Sequence, residues 1–150
     1  MNTMHTMEHK QTNEELVEQG LETLRANQFK ITQKRKEILE LFAQKQHYMS
    51  AQDVHEILRE KYPTMSYNTT YRNLYDFVEC DLLETTEYRQ QQLFKIHCIG
   101  DHHHHHFICT KCGKSIPIHH CPMHLLEDEL QGVQIEFHRF EVFGLCADCQ

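Results

Sequence analysis

The chain has 150 residues, is 39% hydrophobic and carries a formal charge of −7. No apolar run approaches the ~20 residues that span a bilayer, and "MNTMHTMEHKQTNEE" at the start has no apolar signal-peptide core. These features exclude a membrane helix and predict a cytoplasmic protein of one domain or two small ones, whose seven cysteines serve as metal ligands rather than disulfides.

Residues 1–12 read as a polar arm. Four helical patterns follow. "TNEELVEQGLETLRANQ" places Val17, Leu21 and Leu24 on one face, with acidic residues in its first turn. "TQKRKEILELFAQK" has Thr32 as its cap and Ile38, Leu39 and Phe42 on one face. "SAQDVHEILREKYP" opens with Ser50 and Asp53 in a capping-box arrangement, buries Val54, Ile57 and Leu58, and must stop near Pro63. "SYNTTYRNLYDFVECD" has Ser66 as cap and Thr70, Leu74, Phe77 and Val78 along one stripe. Two strand-like runs, "LLETTEY" and "QLFKIHC", flank a polar "RQQ" turn and predict a hairpin. Helices ending in helix, short loop, helix and hairpin describe a winged helix-turn-helix over residues 13–97.

The last of these helices has a second face. Tyr67, Asn68, Tyr71 and Arg72 lie opposite its apolar stripe, and such side chains contact base edges and phosphates. Charge gives a mixed signal for DNA. Residues 1–80 carry 10 Lys and Arg against 12 Asp and Glu, and residues 81–150 carry 5 against 10. Nucleic-acid binders are usually basic, but "KITQKRK", with Lys30 at its start, has four positive charges and no acid. Such a run is also what a solvated helix face looks like.

The second half, residues 98–150, reads as a small α/β domain. "HFICTKCGKSIPIHH" predicts two strands around a turn at Gly113, "CPMHLLEDELQG" a short helix ending at Gly132, and "VQIEFHRFEVFGLC" a long alternating strand. Its strongest signal is a pair of Cys-x-x-Cys motifs, Cys109/Cys112 and Cys146/Cys149. Together they supply four thiolates for a tetrahedral structural zinc. Five consecutive histidines, 102–106, precede the first motif. An extended backbone sends alternate side chains to opposite faces, so His104 and His106 share one face while His103 and His105 share the other. One run can thus serve two sites.

"SYNTTYRNL" and "HHHHHFICTKCGK" resemble the recognition helix and the metal-binding hinge of the ferric uptake regulator (Fur) family. The resemblance runs from residue 13 onward. It implies an α+β homodimer that represses transcription by binding DNA under metal control. Departures from the family's pattern point to its zinc uptake regulator branch. Tyr48 and Pro117 stand where iron- or peroxide-sensing members place a histidine and an acidic ligand, and Cys98 precedes the histidine run. A thiolate ligand suits zinc better than iron or manganese.

The branch's pattern implies a sensory zinc held by Glu84, Cys98, His104 and His106. It implies a second regulatory zinc held by His103, His105, His124 and His138, so one or two regulatory Zn2+ ions join the structural one. His97 competes with Cys98, and Cys80 and Cys121 fall outside the pattern, Cys121 as a spare ligand or nothing. The expected function is a zinc-loaded homodimeric repressor that binds a palindromic double-stranded operator and controls zinc-uptake genes, with no catalysis and no small organic substrate. The alternatives are a regulator responding to iron, manganese or peroxide, and a zinc storage or delivery protein. A zinc hydrolase is disfavoured because no HExxH-type motif is present.

Overall fold

The computed structural model describes residues 11–97 and 105–150. Four helices come first: α1 (Asn13–Ala26), α2 (Gln33–Lys45), α3 (Ala51–Lys61) and α4 (Tyr67–Glu79). Each opens on a side chain that accepts a backbone N–H of its first turn. Thr12 and Ser50 do so within reciprocal capping boxes with Glu15 and Asp53, and Thr32 and Ser66 act as simple caps. The predicted apolar stripes on α1 and α2 are buried. On α3 the buried set is Ala51, Val54, His55 and Leu58, with Ile57 only half-buried.

A two-residue strand, β1 (Met49–Ser50), joins a hairpin of β2 (Leu83–Tyr88) and β3 (Gln91–Ile96) in a sheet of order β1-β3-β2. The hairpin turn is Arg89–Gln90, both at positive φ (49° and 64°), the primed geometry that suits the strands' twist. Gln91, expected in the turn, instead begins β3 opposite Tyr88. One core joins helices and sheet: Leu24, Ile38, Leu39, Phe42, Val54, Leu74, Phe77 and Phe94 are almost wholly excluded from water.

The second half forms a separate sheet of order β5-β4-β6. Here β4 (His105–Cys109) pairs antiparallel with β5 (Ser115–Ile118) and parallel with β6 (Glu141–Gly144). Two expectations fail in this half. The predicted helix after Cys121 is a single 3-10 turn, Pro122–Leu125, followed by irregular turns. The long strand contracts to β6, and Val133, Ile135 and Phe137 lie outside the sheet. The cause is common to both. Leu125, Leu126, Leu130, Val133, Ile135 and Phe137 are all exposed, and an amphipathic helix or alternating strand is stable only when something covers its apolar face. Among the described residues nothing does.

Among the described residues of this half, only His105, Ile108, Cys109 and Cys146 are buried. A domain with so little apolar core depends on other fastenings, a metal or a partner subunit. The two halves also touch. The Tyr48 N–H donates to the Gly113 carbonyl at 2.8 Å, the Thr86 hydroxyl donates to the Glu141 carboxylate, and the Tyr88 and Phe143 rings stack at 4.9 Å.

Candidate metal centres and nucleic-acid interface

Cys109 and Cys112 sit at the end of β4 and in the turn after it, and Cys146 and Cys149 follow β6. Because β4 and β6 are neighbours, residues 37 apart in sequence meet. All four sulfurs lie within 4.8 Å of one another. Cys112 Sγ and Cys146 Sγ are 3.7 Å apart, and two thiolates on a tetrahedral zinc with bonds of about 2.3 Å would be separated by about 3.8 Å. That pair already stands at the separation such an ion requires. The backbone N–H groups of Cys112 and Cys146 both point at Cys109 Sγ, at 3.5 Å. Those donors pull the Cys109 thiol down to about 6, while hydrogen bonding to Cys146 and burial push Cys149 up to about 12. One proton leaves readily and the last resists strongly. A divalent cation removes that resistance, which is why such a cluster takes a metal.

Gly113 closes this knuckle. Its φ of +77° is left-handed, and a β-carbon there would meet the Tyr48 carbonyl oxygen at 2.1 Å. Only glycine satisfies both the turn and the approach to β1.

A second group of donors converges at His105, Cys121 and His138, whose donor atoms also lie within 4.8 Å of one another. His124, expected in this site, has Nδ1 at 2.8 Å from the Cys121 carbonyl and is not part of the group. His103 lies outside the described residues.

The expected sensory site is described only in part, because Cys98 and His104 also lie outside the described residues. Glu84 on β2 and His106 on β4 line one pocket of about 220 Å³, together with Tyr48, His105, His138 and Glu141. Within it Glu84 is engaged by protein groups. The Tyr48 hydroxyl donates to its Oε1 at 3.2 Å, the Lys95 ammonium is 3.7 Å from the same oxygen, and His97 Nδ1 is 3.5 Å from Oε2. Lys95 is only 6% exposed, and a buried ammonium needs a carboxylate beside it. Sequence reasoning overlooked Lys95. Counting back from the two-residue turn would have found it, since Glu84 and Lys95 are cross-strand partners. Across β4 and β5, His106 faces Pro117, which offers no ligand atom in its side chain.

The face of α4 opposite the core is open. Tyr67, Asn68, Tyr71 and Arg72 are exposed, as predicted. Tyr67, Tyr71 and Tyr75 form a ladder with ring centroids 6.0 and 4.7 Å apart. The Tyr71 hydroxyl donates to Tyr75 at 3.0 Å, which in turn donates to Gln92 on β3 at 2.9 Å. The first of these bonds and burial raise the Tyr71 hydroxyl above its ordinary range. The ladder leads from the helix to the wing along a groove of about 600 Å³ that Arg139 also lines.

Within "KITQKRK", Arg35 has a structural task. Its guanidinium donates to Asn73 and Asp76 at 3.2 and 3.0 Å, tying α2 to α4, and to the Lys30 carbonyl at 2.6 Å. Lys30 itself is exposed. Sequence reasoning also missed His55. Buried on α3, it fixes α4 through Nδ1 at 2.8 Å from the Thr70 hydroxyl.

A sequence model of the ferric uptake regulator family matches residues 26–143. The chain belongs to the ferric uptake regulator family. It is 40% identical over 131 residues to the ferric uptake regulation protein of Staphylococcus aureus, covering 87% of this chain and 96% of that one. The fold is similar to the Helicobacter pylori ferric uptake regulator, with a TM-score of 0.69, 21% identity and coverage of 93% and 94% of the two chains. It is also similar to a zinc uptake regulator complexed with zinc and DNA, with a TM-score of 0.66, 27% identity and coverage of 93% and 95%. The α+β architecture is therefore the Fur fold: a helical DNA-binding domain, then a β dimerisation domain with its cysteine cluster. Fur-family proteins are metal-responsive transcriptional regulators that bind operator DNA as dimers, and this chain is one of them. Among the described residues no helix is long and apolar enough to cross a membrane.

Proposed function

We propose that this Fur-family regulator is a zinc-responsive repressor that binds a palindromic operator as a zinc-loaded homodimer and controls zinc-uptake genes. The observation that carries the reading is the donor chemistry. Among the described residues, both converging donor groups contain thiols and neither contains a carboxylate, a composition that favours zinc over iron or manganese. The two places that would supply harder ligands hold Tyr48, whose hydroxyl donates to Glu84, and Pro117. Cys109, Cys112, Cys146 and Cys149 hold the structural ion. Glu84, Cys98, His104 and His106 hold the sensory ion, which must displace Lys95 and Tyr48 from Glu84.

The sensory ligands come from the wing and from the start of the second domain, so the ion fixes the angle between domains and the spacing of two recognition helices. By linkage, zinc and operator tighten each other's binding by the same factor. A symmetric dimer would present two α4 helices to successive major grooves of a two-fold operator. Leu125, Val133 and Phe137, exposed by 69%, 59% and 78%, supply apolar surface for the partner subunit. On DNA, Tyr67, Asn68, Tyr71 and Arg72 contact bases and phosphates, and Lys30 contacts the backbone.

An iron-responsive reading is favoured by the 40% identity to a ferric uptake regulation protein. Operator affinity measured against buffered free zinc, iron(II) and manganese(II), for wild type and Cys98→Ser, separates the two. Zinc activation at far lower free metal, lost in Cys98→Ser, is expected. Preferential activation by iron(II) would overturn the zinc assignment.

A further inference from the structure

We infer that Cys121 is a metal ligand, and that His105, Cys121 and His138 form a two-imidazole, one-thiolate site for a thiophilic divalent cation of the zinc class. The inference rests on the reading above and deepens the second regulatory zinc that the family resemblance implies, with which it shares His105 and His138. His138 Nε2 lies 3.3 Å from His105 Nε2 and 3.3 Å from Cys121 Sγ. On a tetrahedral zinc, with Zn–N of about 2.05 Å and Zn–S of about 2.3 Å, two nitrogens stand about 3.3 Å apart and a nitrogen and a sulfur about 3.5 Å apart. Both observed separations fit an ion between the three donors.

The surroundings hold the donors in place. His105 is buried, and its ring packs edge-on against Phe140 at 5.5 Å. His124, the other candidate, is turned onto the backbone of the 3-10 turn. The three ligands come from β4, from the residue that starts that turn, and from the irregular segment before β6. An ion here would pin two segments that lack sheet pairing to the one strand that has it. His138 adjoins Phe137, so the pinned segment is the one that carries the exposed apolar surface. Among the described residues these three donors are the ones that converge here.

Cobalt(II) reports thiolate ligation directly. The starting protein is the full chain with Cys98→Ser and one zinc retained in the four-cysteine site, which cobalt does not displace because zinc binds thiolates more tightly. Added cobalt is expected to give a near-ultraviolet sulfur-to-cobalt band of one thiolate. That band should vanish on adding Cys121→Ser and persist on adding His124→Ala. A band unchanged by Cys121→Ser, or abolished by His124→Ala with the fold intact, would overturn the inference. If the serine variant does not fold, alkylation of Cys121 in the unmodified chain decides. Zinc should slow it by about tenfold or more as the thiolate becomes a ligand, and a rate independent of zinc sinks the proposal. An operator response to iron instead of zinc would defeat the preceding reading while leaving the cobalt band in place, so the two failures are distinct.

Discussion

Gly113→Ala tests the docking of the cysteine knuckle on the DNA-binding domain, and Gly132→Ala provides its internal control. Both glycines have φ of +77°, but a β-carbon at Gly132 meets nothing within 4 Å, whereas one at Gly113 lies 2.1 Å from the Tyr48 carbonyl oxygen. Alanine at Gly132 therefore measures left-handed backbone strain alone, about 1–2 kcal/mol. At Gly113 the same strain applies, and carbon–oxygen contact of about 3.3 Å forces the knuckle back by about 1 Å. That retreat breaks the 2.8 Å hydrogen bond from Tyr48 N–H to the Gly113 carbonyl, worth about 0.5–1.5 kcal/mol, with further cost for any backbone group left unpaired. The expected losses are about 2–4 kcal/mol at Gly113 and about 1–2 kcal/mol at Gly132. Urea unfolding of the zinc-loaded proteins, followed by circular dichroism and with zinc content checked, measures both. Equal destabilisation with zinc retained would refute the contact between β1 and the knuckle.

Cys109→Ser should lose the structural zinc and leave monomeric or aggregated protein, because metal binding in such clusters contributes of order 10 kcal/mol to folding; a dimer by light scattering with unchanged melting would contradict this. Thr70→Val keeps the volume but leaves buried His55 without that hydroxyl, so about 1–3 kcal/mol of stability should disappear in denaturant titrations. Phe137→Asp should shift the protein towards monomer in sedimentation, and an unaltered dimer would place the interface elsewhere. Arg72→Ala should cost about 1–3 kcal/mol at the operator and relax its sequence preference, whereas Lys30→Ala should weaken all duplexes alike and lower the salt slope by about one. The reverse pattern would exchange their roles.

The N-terminal domain was legible because its signals are local. Thr12, Thr32, Ser50 and Ser66 cap helices within their own first turns, and periodicity identifies buried faces without knowledge of their partners. The four cysteines were legible for a related reason: a two-residue spacing chelates from one turn, and two such turns complete a tetrahedron. The two strands around Gly113 were legible, but the helix after Cys121 and the long final strand were not, because an apolar period describes a helix or strand only if some surface covers it, and Leu125, Ile135 and Phe137 are left exposed. Two further features depend on which residues are brought face to face. Lys95 reaches Glu84 through hairpin register, which follows from the turn length and not from either residue. Cys121 meets His105 and His138 because the chain leaving β5 and the chain entering β6 flank the start of β4, and no motif spacing encodes that. The sequence determined which side chains could bind metal and DNA; tertiary structure decided which of them share a site, since a coordination sphere is a set of distances and only folding sets distances between segments far apart in the chain.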